Sequence, residues 1–164
     1  DGMHQIEFAL KDFMNIEKYS HAGSVIIVDD IYPAHPVQGT RIRESRFWTG
    51  DVWKLIDILA YARPDLILLP IDTSPTGSLM ILCADPDNRN LWNQYDITVQ
   101  NAIAVIEEPP RAIVERTGKI DPKPPWNVRQ IKGNKNCKAN DRTSKSSLCK
   151  RFFCKLIFSY QVSF

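Results

Sequence analysis

Leu66-Ile67-Leu68-Leu69-Pro70-Ile71-Asp72-Thr73-Ser74-Pro75-Thr76-Gly77-Ser78-Leu79-Met80-Ile81-Leu82-Cys83-Ala84 is the stretch whose reading decides the fold. Two apolar runs, 66–71 and 79–84, flank the turn-forming residues 73–77. Short continuous apolar runs bounded by turn signals read as buried strands. A parallel crossover takes roughly a dozen residues or more, so a turn this short forces the second strand antiparallel to the first.

Upstream, the apolar residues Ile6, Ala9, Leu10, Phe13 and Ile16 recur at intervals of three and four, which predicts a helix from Gln5 to about Tyr19. Asp1 and Glu7 lie near its N-terminus, where the helix dipole favours negative charge. Ser24-Val25-Ile26-Ile27-Val28 is a β-branched run with the pattern of a strand buried on both faces, and it stops at Asp29-Asp30. Residues 31–48 form a long connection with Pro33, Pro36, Gly39 and the cations Arg41, Arg43 and Arg46. Long connections in compact domains are often lids or binding loops. A second helix is predicted over 51–62, with Val52, Leu55, Ile56 and Leu59 on one face and Pro64 ending it. Helices between strands imply right-handed crossovers and parallel neighbours. The expected sheet is therefore parallel and finished by one antiparallel hairpin. A further short helix is expected around Leu91, Trp92, Tyr95 and Val99.

Charge divides the chain. Residues 1–128 hold 12 Lys and Arg against 18 Asp and Glu, whereas 129–164 hold 9 against the single acid Asp141. The expected organisation is a domain over 1–106, a Pro-rich linker over 107–128 and a basic tail over 129–164 that is disordered or foreign to the domain. Cys83 sits in an apolar run, while Cys137, Cys149 and Cys154 fall in the tail with spacing that matches no common zinc site. The expected location is cytoplasmic, since the body shows no disulfide framework. No apolar run reaches the roughly 18 residues of a membrane span, so no membrane partner is expected.

The element order, with Asp1-Gly2-Met3-His4 at one strand end and Asp29-Asp30 at the next, resembles the C-terminal half of class I S-adenosylmethionine-dependent methyltransferases. It is most similar to the small-molecule branch, which includes metal-assisted O-methyltransferases. That resemblance implies an α/β, Rossmann-like seven-stranded sheet whose last strand is antiparallel through a hairpin. Residues 1 to about 103 match the end of the fourth strand through the seventh. It implies transfer of a sulfonium methyl group from S-adenosylmethionine to a small hydroxylated acceptor. Aligning the two reactants and removing the acceptor's proton are the enzyme's tasks.

Carboxylates at the C-terminal ends of parallel strands face the crevice where open α/β sheets bind ligands. In this reading Asp1, Asp29 and Asp30 hold Mg²⁺, a hard cation suited to oxygen ligands that would lower the acceptor's pKa. Asp1 is also a catalytic carboxylate and a cofactor contact, and His4, one helical turn from it, is either the general base or a residue that supports the ligands from behind. A metal-free active-site role and a purely structural one stay open: Asp is a preferred helix cap and a common turn residue. Arg41, Arg43 and Arg46 read as a solvated face or as ligands for an acceptor's carboxylate or phosphate. Trp48 and Trp53 read as packing.

The family binds its cofactor through a glycine-rich turn, yet no two of the seven glycines here form a G-x-G. The expectation is a fragment whose cofactor-binding half is absent, inactive and poorly stable alone. Two other classes compete. Residues 25–30 and 64–69 resemble a degenerate receiver domain, but Pro70 stands where the phosphorylated aspartate should be. The basic tail, with Phe152, Phe153, Phe158, Tyr160 and Phe164, suits a non-catalytic binding module; nucleic acid is disfavoured because no recognisable fold signature accompanies the charge.

Overall fold

A computed structural model describes residues 2–21, 23–105 and 108–123. Asp1 and the whole basic tail lie outside the described residues, as do the expectations placed on them. The element order is α1 (Ile6–Lys18), β1 (Ile26–Asp29), α2 (Leu55–Ala62), β2 (Ile67–Ile71), β3 (Ser78–Leu82), α3 (Asn90–Ala104) and α4 (Arg111–Val114). Short 3-10 turns occupy Pro36–Gly39 and Val52–Lys54, the second running directly into α2.

The described strands form a three-stranded antiparallel sheet in the order β1-β3-β2. Ile26 and Leu68 both register with Ile81, and Asp29 and Ile71 both register with Ser78. This corrects the expectation of parallel neighbours. β1 and β2 do run in the same direction, but β3 folds back from its hairpin into the space between them. Burial accounts for the choice. The central strand of three is the most enclosed, and β3 places Leu79 and Ile81 there with no exposed surface.

β1 also differs from its predicted character. Ile26 is buried and faces the helices, but Ile27 is 61% exposed. Periodicity alone cannot distinguish a strand covered on both faces from an apolar strand covered on one. The helices pack on the face of Ile26, Leu79 and Ile81, giving a core of Ile6, Leu10, Phe13 and Met14 from α1, Leu55 and Leu59 from α2, and Leu91 from α3. Apolar burial at these positions is the main favourable term of the fold.

One buried ion pair locks α1 to the α2–β2 corner. Glu17 and Arg63 lie 2.5 Å apart, each almost fully buried, and Arg63 also bonds Asp65 at 2.7 Å. Glu17 additionally accepts the Asp85 amide at 3.2 Å, so its carboxylate meets donors on both sides. The segment read as the start of a linker is folded onto the sheet where it is described. Ile120 bridges Ile71 in parallel, and Arg116 and Lys119 both pair with Asp72 just beyond β2. No local pattern announces these contacts, since single side chains make them in a segment whose prolines at 109–125 read as a linker. Among the described residues, no helix is long and apolar enough to cross a membrane.

Candidate active site

The C-terminal end of β1 sets the site. Asp29 closes the strand, and Asp30 then takes a left-handed conformation, φ 64°, which aspartate tolerates better than most residues. The two neighbouring carboxylates consequently have different partners. Asp29 accepts from the Ser78 hydroxyl at 3.1 Å, and that hydroxyl meets Thr73 at 2.7 Å. Asp30 faces His4, its Oδ2 lying 3.4 Å from the imidazole Nε2.

His4 lies in the segment that leads into α1, ahead of the helix itself. Its Nδ1 lies 2.7 Å from the carbonyl oxygen of Trp48, and its ring stacks on the Trp48 indole at 5.6 Å with an interplanar angle of 26°. A carbonyl can only accept, so Nδ1 bears the hydrogen in this bond. In the neutral ring Nε2 is then the nitrogen able to take a proton, and it lies beside a carboxylate.

Residues far along the chain hold this arrangement. Gly50 has φ 59°, and a Cβ there would fall 1.5 Å from the His4 carbonyl oxygen. Only glycine permits that backbone conformation and that approach together. The next residue, Asp51, is 1% exposed and accepts the amide of Ile6 at 2.8 Å. It satisfies an N-terminal amide of α1 that Gln5, the residue in the cap position, leaves without a side-chain partner. Arg41 then joins the two segments, bonding Glu7 at 2.8 and 2.5 Å and Asp51 at 3.4 Å. The Arg41 guanidinium holds the Glu7 carboxyl below its ordinary range, and Glu7, the larger influence, pushes the guanidinium's own pKa up. Arg41 is thus a structural cation rather than the solvated one its sequence suggested.

A groove of about 550 Å³ opens beside this cluster, lined by Gln5, Arg41, Ile42, Arg43, Trp48 and Ile103. Its volume falls within the range of small-molecule sites, roughly 300–1,000 Å³. The Trp48 indole is fixed at its mouth by a 2.7 Å bond from Nε1 to the Thr40 carbonyl. Trp53 is buried packing, its Nε1 donating to Gly39 at 2.9 Å.

The expected metal set is described only in part. Asp1 lies outside the described residues, and Asp29 and Asp30 address Ser78 and His4 respectively. Among the described residues no three His, Cys, Asp or Glu side chains form a group able to hold a metal. What the fold does bring together is His4, Asp30, Trp48 and the groove. The histidine and the aspartate were legible from the Asp-Gly-x-His and Asp-Asp motifs. Trp48, Gly50 and Asp51 act across more than forty residues of chain, and no local pattern marks them. Comparison with protein-family models, curated proteins and solved structures finds no match.

Proposed function

We propose that this chain forms the acceptor side of a class I S-adenosylmethionine-dependent methyltransferase that methylates a small hydroxylated acceptor, with His4 as general base. The observation that supports this best is the setting of His4 at the C-terminal end of β1, with Nδ1 engaged by a carbonyl and Nε2 beside Asp30. The hairpin-linked antiparallel β3, at the end of the strand series, is consistent with the same family.

His4 Nε2 takes the acceptor's hydroxyl proton as its oxygen forms the new bond to the methyl carbon. Asp30, 3.4 Å away, stabilises the imidazolium so produced. Trp48 holds the ring's orientation through both its carbonyl and its indole face. S-adenosylmethionine, when bound, supplies the electrophilic methyl group, and its sulfur keeps the electron pair of the broken carbon–sulfur bond. The chain has no G-x-G turn to hold that cofactor, so its ribose and methionine contacts are assigned to residues outside this sequence.

The test begins with the transcript upstream of Asp1. An in-frame strand with a glycine-rich turn is expected, and the extended polypeptide should transfer a labelled methyl group whereas the 164-residue chain alone should not. In the extended enzyme His4→Asn keeps a donor near Trp48 but removes the base, and kcat should fall about 100-fold or more with little change in KM. A stop codon directly before Asp1, or an unchanged kcat in the variant, would overturn the reading.

A further inference from the structure

The groove beside His4 has a chemical bias that narrows the acceptor class. Six side chains line it, and none is a carboxylate. Of its two cations, Arg41 has its terminal nitrogens committed to Glu7 and Asp51. Arg43 makes only two backbone contacts, to Ser45 at 3.4 Å through Nε and to Arg46 at 3.0 Å through Nη2. Its Nη1 has no partner among the described residues. The groove therefore carries one cation with donor capacity left over and no internal counter-charge.

The remaining wall is apolar and partly flat. Ile42 is 68% exposed, a large aliphatic side chain facing water at the groove. The Trp48 indole is immobilised by its bond to Thr40 and its stack on His4. A pre-fixed aromatic surface binds a planar ring with little loss of side-chain entropy. A guanidinium with a nitrogen left over attracts a carboxylate through a charge-assisted hydrogen bond. One such cation suits a singly charged carboxylate better than a doubly charged phosphate.

We propose that this groove is the acceptor site and that it selects a hydroxylated aromatic carboxylic acid, the ring lying against Trp48 and Ile42 and the carboxylate on Arg43. The inference rests on the methyltransferase reading for the word acceptor, but the binding it asserts is measurable without methyl transfer.

The 164-residue chain is titrated with 4-hydroxybenzoate, with phenol and with cyclohexanecarboxylate, following the Trp48 indole N–H signal, which Trp48→Phe assigns. 4-Hydroxybenzoate should bind about tenfold tighter than phenol, since a hydrogen bond to a charged group typically contributes that much, and tighter than cyclohexanecarboxylate, which keeps the charge but has no planar ring to lie on Trp48. Arg43 is exposed and its loss leaves the fold intact, as circular dichroism checks. Arg43→Ala should abolish the preference over phenol, and Arg43→Lys should keep part of it. Equal affinity for phenol, an unaltered preference in Arg43→Ala, or no response of Trp48 to any ligand would each overturn the proposal. Ligand binding with these preferences, in an extended protein that transfers no methyl group, would instead refute the methyltransferase reading and leave the groove assignment standing.

Discussion

Gly50→Ala is the substitution that most directly probes how the site is held. Two separate costs arise. Residue 50 has φ 59°, and placing an L-residue in the left-handed region costs about 1–2 kcal/mol. The added Cβ would also lie 1.5 Å from the His4 carbonyl oxygen and 2.6 Å from its carbonyl carbon. Ordinary carbon–oxygen contact needs roughly 3.3 Å, so one backbone segment must move by roughly 2 Å. Overpacking of this kind typically costs about 1–3 kcal/mol. The sum is about 2–5 kcal/mol, a large share of a domain's stability. Gly118→Ala separates the terms. Its φ is 77°, yet nothing lies within 4 Å of a Cβ there, so it should cost only the conformational part. Urea unfolding measures both variants, and the Trp48 indole signal reports whether the His4 stack survives. If Gly50→Ala destabilised the chain no more than Gly118→Ala, with that signal unmoved, the claim that Gly50 fixes His4 would be wrong.

Two further outcomes follow from the charged contacts. Glu17→Ala leaves the Arg63 guanidinium buried with Asp65 as its remaining carboxylate partner, and should cost about 3 kcal/mol in urea unfolding; Glu17→Ala combined with Arg63→Met should recover part of that loss, and a double variant no better than the single would contradict the pairing. Stability should also fall on acidification. The folded pKa of Glu7 is lowered below its ordinary 4.5, chiefly by the Arg41 hydrogen bond, so its contribution is complete above that value and is lost as pH drops through the folded pKa. Asp72, lowered mainly by Lys119 and Arg116, has the same sign. Glu7→Gln should therefore be less stable than the parent at pH 7 and approach it as the pH falls through the folded pKa of Glu7, with a gap independent of pH counting against the Arg41 pairing.

Much of the fold was readable because its elements follow local rules. The spacing of Ile6, Ala9, Leu10 and Phe13 gave α1, and the short turn at 73–77 required β3 to reverse direction. The position of β3 between β1 and β2 was not readable. Turn length sets the direction of the returning strand, not the side of β2 on which it pairs. The exposure of Ile27 was missed for a related reason, since an unbroken β-branched run looks the same whether one face or both are covered. At the site, His4 and Asp30 could be named from short motifs, and the structure places them 3.4 Å apart. Their distant supports could not. The contact of Gly50 with His4 and the capping of α1 by Asp51 depend on tertiary placement, and a glycine followed by an aspartate reads locally as an ordinary turn.

These supports also bear on the character of the long connection over 31–48. A lid needs a segment with few bonds to the body, so that opening costs little. Here the carbonyl of Gln38 accepts the amides of Thr49 and Gly50 at 2.9 and 3.1 Å, and its side chain takes the Ala34 amide at 3.0 Å. Arg41 fastens the middle of the connection to Glu7 on α1, and the Tyr32 amide ties its start to Thr76 in the β2–β3 turn. Opening the connection would break these bonds together and uncover the largely buried Arg41–Glu7–Asp51 cluster. The segment is therefore a fixed wall. A ligand entering the groove would meet Trp48 and Arg43 already in place, so its selection would depend on fit to a preformed surface rather than on closure around it.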